Sequence, residues 1–262
     1  MPALIFDCDG VLADTERDGH LPAFNAAFAE AGLPVRWSED DYAEKLKIGG
    51  GKERIAAVFT PELDEVIGVS TDAERANWIQ QLHQRKTAYF TRRVSDGLLP
   101  ARPGIHRVID EALRAGWTVA VASTSAEASV RAVLRHVAGD DNYARCAVFA
   151  GDVVAAKKPA PDIYLKVLDD LGLDPAQCVV VEDSGIGVAA AVAAGLTTVV
   201  TISSFTGGED FTGAALVLSD LGDPGAPPTV HAAPAGVQPS GMVTLADLAA
   251  LITAAHSQEE PQ

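Results

Sequence analysis

Two carboxylates, Asp7 and Asp9, stand at the end of the first apolar run in ALIFDCDGVLADTE. Residues i and i+2 of an extended segment share a face, so both acids leave the end of a predicted strand together, with Cys8 turned the other way. Carboxylates held side by side repel unless a shared proton or a cation relieves them. An all-oxygen pair suits a hard ion such as Mg2+. Gly10 permits a tight departure of the backbone after them. In VAVASTSAEASV, Ser123 and Thr124 follow another apolar run and precede a helical stretch. Hydroxyls and helix N-terminal amides at such a place bind phosphate oxygens, or cap the helix. In AGDVVAAKKPAPDIY, Lys157 and Lys158 stand directly before Pro159, and in CVVVEDSGIGVAAA a run ends in Glu182 and Asp183. Acids there also complement a helix dipole.

These residues need elements to bring them together. Short apolar runs at 3–6, 118–122, 147–150, 178–181 and 198–202 read as strands buried on both faces. Between them lie helical periodicities: Ile105, Val108, Ile109, Leu113; Val130, Val133, Leu134; Ile163, Leu165, Val167, Leu168; and the Ala-rich 188–194. Alternation of this kind predicts an α/β fold, a Rossmann-like, doubly wound parallel sheet whose strand ends converge on one crevice. Asp-x-Asp, Ser/Thr, Lys-Pro and Glu-Asp, in that order and each after an apolar run, would meet there.

Residues 17–92 break the alternation. Leu21, Phe24, Phe28, then Ile55, Val58, Phe59, then Trp78, Ile79, Leu82, Tyr89 repeat at helical spacing without strands between them, which predicts an inserted helical cap domain with Trp78, Leu82 and Tyr89 in its core. The core domain is then 1–16 with 93–221. Residues 222–240, dense in Gly, Pro and Ala, read as a linker before a helix near 245–255 and a disordered SQEEPQ tail.

At 262 residues, with 48% hydrophobic and 21% charged residues, the chain can bury a sizeable core. A formal charge of −16 opposes nucleic-acid and anionic membrane partners, which attract cationic surfaces. No apolar run is long enough to span a bilayer and no basic presequence opens the chain, so a soluble cytoplasmic protein is expected. The odd count of three cysteines, Cys8, Cys146 and Cys178, argues for reduced buried thiols.

The four segments together resemble the motifs of the haloacid dehalogenase superfamily, over about residues 3–220. The resemblance implies an aspartyl-phosphate enzyme in which Asp7 attacks phosphorus and Asp9 protonates the leaving oxygen, then activates water. It implies Mg2+ held by Asp7, the Asp9 carbonyl and Asp183, with Glu182 direct or through water, and a phosphoryl group held by Ser123, Thr124, Ser125 and Lys158. Lys158 is preferred to Lys157 because the family lysine immediately precedes the proline. The cap in LKIGGGKERIAAVF presents glycines and two cations. With LLPARPG, this makes the chain similar to the CbbY phosphatases, which act on xylulose 1,5-bisphosphate, a Rubisco misfire product and inhibitor. That likeness implies substrate contacts from Glu16, Gly50, Gly51, Lys52, Glu53 and Arg54, and a bisphosphate sugar as partner; a monomer is expected. It assigns His20 no catalytic role. A β-phosphoglucomutase-like mutase, a broad sugar-phosphate phosphatase and an inactive sugar-phosphate-binding regulator remain open alternatives.

Overall fold

A computed structural model describes residues 1–48 and 50–257. The SQEEPQ tail beyond Ser257 lies outside the described residues. The strands are β1 (Ala3–Phe6), β2 (Thr118–Ser123), β3 (Ala147–Ala150), β4 (Cys178–Glu182), β5 (Thr197–Thr201), β6 (Leu216–Leu218) and β7 (Val230–Ala232). They form one sheet in the order β3-β2-β1-β4-β5-β6-β7, parallel up to β6, with β7 antiparallel to it. β1 is central. Leu4, Ile5 and Phe6 are fully buried, and each contributes roughly 1.5–3 kcal/mol through the surface it removes from water.

The helices are α1 (Leu21–Glu30), α2 (Glu39–Leu46), α3 (Gly51–Ala56), α4 (Pro61–Ile67), α5 (Asp72–Ser95), α6 (Ile105–Arg114), α7 (Glu127–Ala138), α8 (Asp140–Tyr143), α9 (Asp162–Leu171), α10 (Gly185–Ala193) and α11 (Leu245–Ser257). The chain separates into two compact units, Met1–Asp14 with Pro100–Gln262, and Thr15–Leu99. The smaller unit is wider than 17–92 at both ends. A π-helical turn over Thr15–His20 opens it and α5 runs on to Ser95, so Glu16 belongs to this unit.

In the smaller unit α5 buries Leu82, Lys86, Phe90 and Val94, one residue per turn, while Trp78 and Tyr89 are only half-buried. The expected core of Trp78, Leu82 and Tyr89 is therefore corrected to that stripe. A lysine fits in it because its ammonium lies 4.8 Å from the Phe24 ring centroid and 3.0 Å from His20 Nδ1. Phe24, Phe28, Trp37 and Tyr42 pack as an aromatic cluster beside it.

The linker expected at 222–240 is also corrected, because β7 lies within it. Ser219 N donates to Thr229 O at 2.9 Å, and Val243 N donates to Leu221 O at 2.9 Å. Arg107 donates to Val243 O at 2.9 Å and to Gly222 O at 2.7 Å, fastening both ends of the segment. The sequence signal was weak for a physical reason: all three residues of β7 are exposed, so an edge strand there requires no apolar pattern. Cys8 and Cys178 are buried free thiols, whereas Cys146 is only half-buried.

Candidate active site

The register places the first motif. Phe6 is level with Val121 of β2 and Val181 of β4, and Asp7 N continues the ladder by donating to Val181 O at 2.9 Å. Asp7 therefore emerges between the ends of two neighbouring strands, one closing in Ser123 and the other in Glu182. The chain then turns sharply, with Gly10 at φ 79°. A Cβ on Gly10 would lie 2.0 Å from Asp183 Oδ2, so only glycine lets this loop approach that acid. Gly187 does the same for the other acid, since a Cβ there would meet the Glu182 carboxyl at 2.1 Å.

Lys158 is the electrostatic centre. Its ammonium donates to Asp7 Oδ1 at 2.6 Å, Glu182 Oε1 at 2.6 Å and Ala122 O at 3.1 Å, with its side chain 6% exposed. Lys157, by contrast, is exposed and pairs with Asp152 at 3.0 Å. Burial opposes the Lys158 charge, yet Asp7 and Glu182 outweigh it and hold the ammonium well above its ordinary range. Burial pushes the Asp7 carboxyl up to about 7; Lys158 pulls it down, and Glu182 and Asp9 push it further up. Asp183 is likewise raised, by burial first and then by Glu182 and Asp7.

Glu182 is fully buried, and Oε1 also accepts from Tyr164 Oη at 2.5 Å. Its Oε2 accepts from Asp183 N at 3.1 Å and from Ser184 Oγ at 3.4 Å. Lys158, Tyr164, Asp183 N and Ser184 together use the roughly four acceptor positions of a carboxylate. Tyr164 was not anticipated, although it ends the very run that contains Lys158. Ser123 is buried, and its Oγ accepts from Ser125 N at 3.1 Å. Thr124 is half-buried in the same turn. Asp9, half-exposed, accepts a hydrogen bond from the Ser125 hydroxyl.

A further residue was missed. Arg102 donates to the Gly10 carbonyl, to Thr201 O at 2.9 Å, to Ile202 O at 2.6 Å and to Ser219 O, stapling the Asp-x-Asp loop to the ends of β5 and β6. It lies in the LLPARPG run, where nothing about spacing marks it.

Asp7, Glu182 and Asp183 offer carboxylate oxygens within 4.8 Å of one another. This buried, oxygen-only donor set, with the carboxyls of Asp7 and Asp183 raised by burial and mutual repulsion, fits a hard divalent cation. Asp9 stands outside that carboxylate group.

The smaller unit holds its own polar cluster. Tyr42 Oη donates to Glu16 Oε2 at 2.5 Å, and Arg54 donates to Tyr42 Oη at 3.0 Å, to Glu16 at 3.3 Å and to Ile48 O at 3.0 Å. Gly50 caps α3 at φ 95° and Gly51 begins it; Lys52 and Glu53 are exposed on it. Tyr42 lies in no segment that the helical periodicity of the sequence marks.

Two aspartates at the end of β1, a buried lysine and a carboxylate group form a site whose chemistry suits phosphoryl transfer. The family model for haloacid dehalogenase-like hydrolases matches residues 1–195, and the chain belongs to that family. Among its members it is a CbbY-like phosphatase. It is 49% identical over 222 residues to the CBBY-like protein of Arabidopsis thaliana, covering 85% of this chain and 70% of that one. It is 45% identical over 253 residues to the plasmid-borne CbbY of Cupriavidus necator, covering 96% and 95%. A mutant CbbY of Rhodobacter sphaeroides, solved with xylulose-(1,5)bisphosphate, superposes with a TM-score of 0.68 at 37% identity, covering 84% of this chain and 95% of that one. Among the described residues no helix is long and apolar enough to cross a membrane.

Proposed function

We propose that this phosphatase hydrolyses xylulose 1,5-bisphosphate to xylulose 5-phosphate and inorganic phosphate, using Mg2+ and an aspartyl-phosphate on Asp7. The observation that carries the substrate is the Rhodobacter sphaeroides CbbY bound to that sugar. The chemistry rests on Asp7, Lys158 and the acids around them.

The Asp7 carboxylate attacks the phosphorus of the 1-phosphate, and the bond to the sugar oxygen breaks as Asp9 protonates that oxygen. Asp9, now a carboxylate, takes a proton from water; the resulting hydroxide attacks the phosphorus and the bond to Asp7 breaks, restoring the nucleophile. The Lys158 ammonium and the Ser123 hydroxyl offset charge on the transferring phosphoryl oxygens. Glu182, saturated by Lys158, Tyr164, Asp183 N and Ser184, keeps Lys158 charged and placed. Asp7, Asp183 and the Asp9 carbonyl would hold Mg2+, which when bound supplies the positive charge that keeps Asp7 ionised and balances the phosphate.

In the smaller unit Glu16, Tyr42 and Arg54 recognise the sugar, and Gly50, Gly51, Lys52 and Glu53 serve the phosphate that is not cleaved. These cap contacts rest on likeness to the CbbY segment. The protein acts as a cytoplasmic monomer in carbohydrate metabolism linked to the Calvin cycle.

The test is phosphate release from xylulose 1,5-bisphosphate, ribulose 1,5-bisphosphate, glucose 1-phosphate and phosphoglycolate, with Mg2+ and with EDTA, for wild type and Asp7→Asn. Selective release from xylulose 1,5-bisphosphate, abolished by EDTA or by the substitution, is expected. Preferential release from another substrate overturns the substrate assignment but keeps the Asp7 chemistry. An isomeric monophosphate as product would make the protein a mutase.

A further inference from the structure

The Ser125 hydroxyl donates to Asp9 Oδ2, across 116 residues of sequence. The contact is held from both sides. Asp9 is carried by the loop after β1, whose turn is closed by Gly10 N donating to Ala13 O at 2.9 Å and Leu12 N donating to Cys8 O at 3.0 Å. Ser125 is carried by the turn after β2, folded back so that its own N–H reaches Ser123 Oγ at 3.1 Å. β1 and β2 are paired neighbours in register, so the two turns leave the same edge of the sheet side by side.

An acid that must give a proton to one oxygen and later take one from another works only if its carboxyl stays in one rotamer through both steps. A serine hydroxyl is suited to hold it, because it can donate to a carboxylate oxygen and also has acceptor lone pairs.

We infer that Ser125 is a positioning residue for Asp9, orienting it toward the leaving-group oxygen, rather than a phosphate contact. This rests on the reading of Asp9 as the general acid.

A positioning role has a signature that loss of phosphate binding lacks. A sugar oxygen leaves as an alkoxide and needs a proton, whereas p-nitrophenolate departs without one. The value of kcat/KM reports the steps through departure of the leaving group. The experiment measures kcat/KM on p-nitrophenyl phosphate and on the faster-cleaved of xylulose 1,5-bisphosphate and glucose 1-phosphate, for wild type, Ser125→Ala, Ser125→Thr and Asp9→Asn. Ser125→Ala is expected to lower the sugar-phosphate value about 10- to 100-fold more than the p-nitrophenyl value, a part of the ~100- to 10,000-fold that acid catalysis contributes. Ser125→Thr, which keeps the hydroxyl, is expected to restore most of the difference. Equal losses on both substrates overturn the proposal if Asp9→Asn still discriminates between them. If Asp9→Asn does not discriminate either, the acid assignment itself fails and the inference falls with it.

Discussion

Replacing Lys158 by Met keeps the aliphatic stem and removes one buried positive charge from between Asp7 and Glu182, each 2.6 Å from it. Removing one partner of a buried ion pair costs about 3–5 kcal/mol, because the other charge is left uncompensated, and here two carboxylates lose the same cation. The loss is limited by protonation. Without the lysine, which pulls it down, the folded-state pKa of Asp7 rises further above the unfolded value, so the folded variant binds more protons than the unfolded chain. Stability of the variant then falls as pH rises through that window. The gap to wild type is expected to be widest near pH 8 and smallest near pH 5. Urea unfolding in EDTA at both pH values, followed by circular dichroism, reads it directly, with turnover expected to fall at least ~100-fold in parallel. A gap below about 1 kcal/mol, or one that does not narrow on acidification, would refute the claim that Lys158 holds this group of acids together.

Two other outcomes follow from the same geometry. Because burial raises the Asp7 carboxyl to about 7, a cation must displace its proton below that pH. The apparent Mg2+ affinity, measured calorimetrically on protein without substrate, should weaken by up to about tenfold per unit below pH 7, and a flat profile between pH 5 and 8 would contradict the shift. Arg102→Met strands the carbonyls of Gly10, Thr201, Ile202 and Ser219. A loss of about 2–4 kcal/mol in denaturant unfolding is expected, and Arg102→Lys should recover only part of it, since an ammonium cannot span the same acceptors.

How far the sequence reveals this arrangement depends on where each signal arises. β1 to β5 were legible because strands buried on both faces must be apolar throughout. β6 is three residues long and β7 is exposed, so neither leaves a pattern. The residues that bear charge at the strand ends were legible as types in order. Their partners were not. Tyr164, Tyr42 and Arg102 are ordinary residues of a helix, a helix and a loop, and only the fold brings Arg102 to a carbonyl 92 residues away.

The same distinction explains why the sequence left Glu182 open between a direct contact to a cation and one through water, while giving Asp183 as a ligand. Both acids bring a carboxylate oxygen within 4.8 Å of Asp7 and of each other, but their other partners differ. β4 runs beside β1, and its last residue, Glu182, turns toward Lys158 and Tyr164. Asp183, one residue on, turns toward the loop at Gly10, close enough that no side chain there is tolerated. Asp7, carried one residue past the end of β1, meets the lysine held by Glu182 and lies within ligand reach of Asp183. Glu182 is thus the anchor of Lys158, and under the proposed mechanism Asp183 is the acid of the pair left to hold a divalent cation. A bare acidic pair in sequence carries that division only once the strand that precedes it is known.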